Sequence, residues 1–118
     1  MRKTSSYPVL LVMPPNVSVL LTCSENSTNF FIEVCCNVSV EPVTLFNELH
    51  AAGFERSIEA SPLPDGSVTR VFVKHGSSFF GGCTPDERRK NLRLARKVLR
   101  RFGFSSLPMR VYSTAELL

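Results

Sequence analysis

Seven basic side chains, Arg89, Lys90, Arg93, Arg96, Lys97, Arg100 and Arg101, fall close together near the C-terminal end of the chain, and no carboxylate interrupts them. Their recurrence every three or four residues places them on one face of a helix. Such a face can donate charged hydrogen bonds to phosphates or carboxylates. Arginine dominates the group, which suits forked, two-point recognition of planar oxyanions. Long basic side chains also cover apolar flanks on ordinary surface helices. Here, however, Arg89–Arg93, Arg93–Lys97 and Arg96–Arg100 are like charges one turn apart, each costing about 0.2–0.5 kcal/mol. A helix that only needed solvation would intersperse acids. The accumulated repulsion points to binding.

Arg89, Arg93, Arg96, Lys97, Arg100 and Arg101 are therefore the candidate partner-binding residues. An acidic protein surface is the first partner they suggest. Nucleic-acid phosphates are the alternative, although no base-reading or stacking motif accompanies the charge. A membrane surface fits least, because the apolar side of the same helix is needed for a core.

The charge is local. The chain of 118 residues carries 14 bases and 10 acids, a net +4. Residues 85–103 hold eight of those bases against Asp86 and Glu87, so the remainder is slightly acidic. A confined basic patch says more about partners than a global isoelectric point does.

Other reactive side chains are sparse. His75 and Cys83 flank a Gly- and Ser-rich stretch, and a thiol-dependent enzyme is a third reading, but no orienting third group accompanies them. Gly76–Gly82 precedes a helix start without the Gly-Lys-Ser/Thr ending of a phosphate loop, and Asp86 and Glu87 would repel an anion there. Phe79 and Phe80 within it are a candidate anchor for a partner. The four cysteines, Cys23, Cys35, Cys36 and Cys83, form no C-x-x-C pair. They read as packing residues in a reducing compartment. No metal, cofactor or small-molecule ligand is indicated, and the expected role is non-enzymatic.

The elements that must position the basic face follow from periodicity. Val17, Val19, Leu21 and Cys23 alternate as a strand, and Phe30–Cys36 alternates as a second. A hairpin pairing Val19 with Val34 and Leu21 with Ile32 brings their apolar faces together. Pro42 opens a helix whose Val43, Leu45, Phe46, Leu49 and Ala52 share a face, with Gly53 as its stop. Short strands are expected at Arg56–Ala60, Ser67–Lys74 and Met109–Tyr112, around an Asp65-Gly66 turn.

The basic helix begins at Thr84-Pro85-Asp86-Glu87, a capping box with proline in the first turn. It ends at Gly103, with Phe104 folding back on Leu99. Leu92, Leu94, Ala95, Val98, Leu99 and Phe102 share the arc opposite the bases. Arg88 alone falls toward that arc, and from the first turn it can swing outward.

These elements predict a single α+β domain over residues 16–112, with an irregular lead-in at 1–15 and a tail at 113–118. The order is β-α-β-β-α-β preceded by an extra N-terminal strand. That is a ferredoxin-like sandwich, an antiparallel sheet with two helices on one face. The other face of the sheet is too apolar to stay bare, and Phe31, Cys35 and Phe72 are its candidate interface residues. Over residues 30–112 the element order resembles that of ACT-like regulatory domains. The resemblance implies dimerisation sheet to sheet or edge to edge, so a homo-oligomer or a protein partner is expected. Residues 9–13 stop short of a membrane span, and Pro14-Pro15 cuts the run near the lower limit of a signal peptide. An intracellular, non-secreted protein is expected, with the sequons at Asn16, Asn26 and Asn37 silent.

Overall fold

The structure, a computed structural model, describes residues 13–25, 29–57, 60–75 and 83–113. Five strands and two helices follow in the order β1 (Ser18–Ser24), β2 (Phe30–Asn37), α1 (Val43–Ala51), β3 (Phe54–Arg56), β4 (Ser67–Lys74), α2 (Pro85–Arg100) and β5 (Met109–Tyr112). The strands form one mixed sheet in the order β3-β4-β2-β1-β5. Phe79 and Phe80, the Asn26 sequon and most of the lead-in and tail lie outside the described residues.

The hairpin has the register that its side chains require. Val19 faces Val34 and Leu21 faces Ile32 across the antiparallel pair. Val19, Leu21, Cys23, Phe30, Ile32, Val34 and Cys36 are all buried in one cluster with Leu45, Phe46 and Leu49 of α1 and Ala95, Val98 and Leu99 of α2. Both helices thus cover the same face of the sheet. Phe46 of α1 meets Phe72 of β4 with ring centroids 5.2 Å apart, joining helix to sheet, and within the sheet Phe30 of β2 meets Phe54 of β3 at 6.2 Å. Burial raises the thiol pKa of Cys36 within this cluster, and the neighbouring Glu41 carboxylate adds to the rise.

The strand order departs from the sequence expectation. The extra strand β1 does not flank the domain; it lies between β2 and β5. β5 pairs with it in parallel, Leu21 opposite Met109 and Cys23 opposite Val111, so the sheet is mixed rather than antiparallel. The physical reason is the path of the chain: β5, returning after α2, pairs with the edge of β1 that the β1–β2 hairpin leaves open.

Two further departures are local. β3 covers Phe54–Arg56 and shares Arg56 with the expected Arg56–Ala60, of which residues 58 and 59 lie outside the described residues. Gly53, at φ +95°, ends α1 and leads directly into the ladder, where the N–H of His75 donates to the Gly53 carbonyl at 2.8 Å. Val43, expected on the core side of α1, is 60% exposed, while Pro42 precedes the helix without a side-chain cap.

On the sheet face away from the helices stand Leu20, Thr22, Phe31, Glu33, Cys35, Thr69, Val71 and Val73, as the strand registers require. Phe72 is not among them. It faces the helices at 2% exposure, because alternation along β4 puts Val68 and Phe72 inward and Thr69, Val71 and Val73 outward. Phe31, Thr22 and Val73 are already buried within the single chain, whereas Leu20 is 37% exposed.

Candidate docking surface on the basic helix

The ends of α2 are fixed by local chemistry. The Thr84 side chain accepts from the Glu87 N–H at 3.1 Å, and the Thr84 N–H donates back to the Glu87 carboxylate at 2.9 Å. The Thr84 backbone N–H most of all, and then the Thr84 side chain, hold the Glu87 carboxyl below its ordinary pKa of 4.5. At the other end Gly103 adopts φ +93°, and the N–H groups of Gly103 and Phe104 donate to the carbonyls of Arg100 and Leu99 at 3.0 and 3.1 Å. This is a Schellman closure, and Phe104 packs on the core as its apolar partner.

Between these ends the helix has two characters. Ala95, Val98 and Leu99, with Phe102 just beyond, are buried against the sheet, and Leu92 packs beside them. Lys90, Arg93, Arg96, Lys97 and Arg100 are exposed on the opposite side. The sheet-facing anchors set the rotation of the helix, and that rotation fixes the outward direction of the cations.

The seven bases do not behave alike. Arg89 donates to Asp86 one turn earlier, and Arg101 donates to Glu48 of α1. Arg96 reaches only a long contact of 3.5 Å to the Leu107 carbonyl. Lys90, Arg93, Lys97 and Arg100 form no ion pair with the described residues. The surplus positive charge is therefore concentrated on Arg93, Lys97 and Arg100, with Lys90 and Arg96 on their flanks. Arg101, a sequence candidate, is committed to the interhelical pair instead.

Arg88 is a correction. It does not swing outward: its Nε is buried without a hydrogen-bond partner, and its Nη2 lies 3.7 Å from the Cys23 sulfur. Its position on the core side of the first turn leaves its aliphatic stem covering the sheet, and the guanidinium follows.

Leu94 also departs from the sequence expectation. It was expected in the core arc but is 36% exposed. It sits with Lys90, Arg93 and Lys97 along one shallow furrow. A second furrow is lined by Arg89, Leu92, Arg93, Arg96 and Arg100. The available signal was its position at the border of the apolar arc, one turn from both Lys90 and Lys97.

Seven of the described acids are engaged elsewhere. Glu33 accepts from the Tyr112 hydroxyl at 3.1 Å, Glu41 accepts from Arg70 at 2.6 Å, and Glu55 contacts His75 at 2.8 Å. Glu48, Asp86 and Glu87 are used as described above, and Asp65 accepts from the N–H and hydroxyl of Ser67. His75 thus turns toward Glu55 on an exposed edge of the sheet. Among the described residues, no group of three His, Cys, Asp or Glu side chains could hold a metal ion. No described helix is long and apolar enough to cross a membrane. Comparison of the chain with family models, with curated proteins and with solved structures found no match.

Proposed function

We propose that this protein is a non-enzymatic interaction module that docks an acidic partner on the outward face of α2. The observation that carries the reading is the mismatch of charge. Arg93, Lys97 and Arg100 are exposed without an ion pair among the described residues, while seven described carboxylates already have partners inside the fold. A surface left unpaired by the described residues is suited to an external anion. Leu94, at the border of the face and in one furrow with Lys90, Arg93 and Lys97, favours a protein over a phosphate backbone, because it offers apolar surface that an apolar side chain would bury.

With β1 set aside, the remaining elements keep the β-α-β-β-α-β order with both helices on one face, which supports a ferredoxin-like scaffold carrying an inserted strand. Self-association through the opposite sheet face belongs to the same proposal. It is narrowed to Leu20, Cys35 and Val71, since Phe31 is buried and Phe72 faces the helices. Sedimentation showing a monomer at every concentration would remove it. An intracellular setting is supported by Cys23, Cys35, Cys36 and Cys83, all of which are free thiols.

The experiment that tests docking is the triple reversal Arg93→Glu, Arg96→Glu and Arg100→Glu in the full chain. Loss of the partners captured by the native protein is the expected result, and an unchanged set rejects the reading. Tight, salt-dependent binding of generic RNA or DNA that the triple variant loses would replace the acidic protein by nucleic acid.

A further inference from the structure

We infer that the occupant of the α2 face is an acidic amphipathic helix of another protein, laid along α2 with one apolar side chain against Leu94. The inference rests on the docking role proposed for α2 and narrows it to one class of partner.

The spacing of the exposed side chains argues for a helix. Arg89, Arg93, Arg96 and Arg100 follow one another at alternating intervals of four and three residues. That alternation keeps side chains in one nearly straight stripe along a helix, as in the seam of a coiled coil. Lys90, Leu94 and Lys97 form a second stripe with the same alternation. Arg93 borders the furrows on both sides of it. A ridge flanked by two furrows is the relief into which the side-chain rows of a second helix pack. From Arg89 to Arg100 the stripe runs roughly 16 Å at 1.5 Å per residue, about three turns of a partner.

The chemistry of the stripe selects the partner's face. Carboxylates recurring every three or four residues would meet arginine forks at each turn. An apolar side chain among them would cover Leu94 and exclude water from the flanking ion pairs. A second copy of this chain fits poorly, because its own α2 face is also positive and seven of its described carboxylates are engaged. A lipid surface would require an apolar face on α2, but that face is buried against the sheet.

The test uses the full-length chain and three labelled probes followed by fluorescence anisotropy. One is a helical peptide with Glu in the three-four alternation and a central Leu; the second is a scrambled peptide of the same composition; the third is a generic nucleic-acid duplex. The patterned peptide should bind best, with the scrambled one weaker by roughly tenfold or more. Leu94→Ser should weaken the patterned peptide by a similar factor while leaving the circular dichroism spectrum unchanged. Equal binding of the two peptides, no effect of Leu94→Ser, or preference for the duplex would each overturn the inference. The docking reading would survive the first two results if Arg93→Glu with Lys97→Glu still abolished binding. It would fail separately if that charge reversal changed nothing.

Discussion

Arg101, just past the end of α2, donates through Nη1 to Oε1 of Glu48 in α1, so the last cation of the basic run serves the packing of the two helices. The pair is partly exposed, and such pairs contribute about 0.2–1 kcal/mol. Arg101→Ala should lower stability by that amount in urea unfolding. Binding at the α2 face should stay within about twofold, because Arg93, Lys97 and Arg100 keep their positions. A loss of binding as large as that caused by Arg93→Glu would show that Arg101 belongs to the docking face after all.

Arg70 projects from β4 toward the helices, and its Nε donates to Glu41 Oε1 at 2.6 Å, with both side chains largely buried. Removing one member leaves the other charge poorly solvated. Arg70→Met should therefore destabilise the fold by about 1–3 kcal/mol. The double variant with Glu41→Gln should recover part of that loss. A strictly additive double-mutant cycle would refute the coupling.

Thr84→Ala should cost about 1 kcal/mol, because it orphans a first-turn N–H of α2. The Glu87 half of the capping box makes this end sensitive to acid. Hydrogen bonds to its carboxylate depress the pKa below 4.5 in the folded chain. A depressed carboxyl pKa contributes stability above the unfolded value, and that contribution disappears as pH falls through the folded value. Glu87→Gln should accordingly differ in stability from the native chain at neutral pH and converge with it in acid. A gap that persists unchanged below the folded value would contradict this origin.

Arg88→Met should be neutral or stabilising by about 1 kcal/mol, since it keeps the stem that covers the sheet and removes a buried nitrogen with no partner. Calorimetry of the variant checks this. A drop in stability would mean that the contact of the guanidinium with the Cys23 sulfur outweighs the missing hydrogen bond.

Much of this molecule was legible as a pattern of residue types, wherever the deciding interaction is local. Alternation specified the register of β1 and β2, since slipping by one residue would turn Leu21 and Ile32 outward. Thr84, Glu87 and Gly103 announced both ends of α2, because a capping box and a left-handed stop involve only near neighbours. The cationic face followed from helical spacing alone.

Tertiary structure decided what depends on distant partners. β1 occupies an interior place in the sheet because β5 returns to its free edge, an outcome of chain topology rather than of either strand's composition. Phe72 faces the helices because β4 joins β2 in a register that sets its alternation. Leu94 stands in the open because the sheet-facing residues of α2 fix its rotation, and the arc they bury stops short of it. Glu48 takes Arg101 out of the basic face because two helices distant in sequence pack together. Spacing along one helix determined that a positive face exists, while packing against the rest of the chain determined which of its charges form ion pairs with the described residues and which do not.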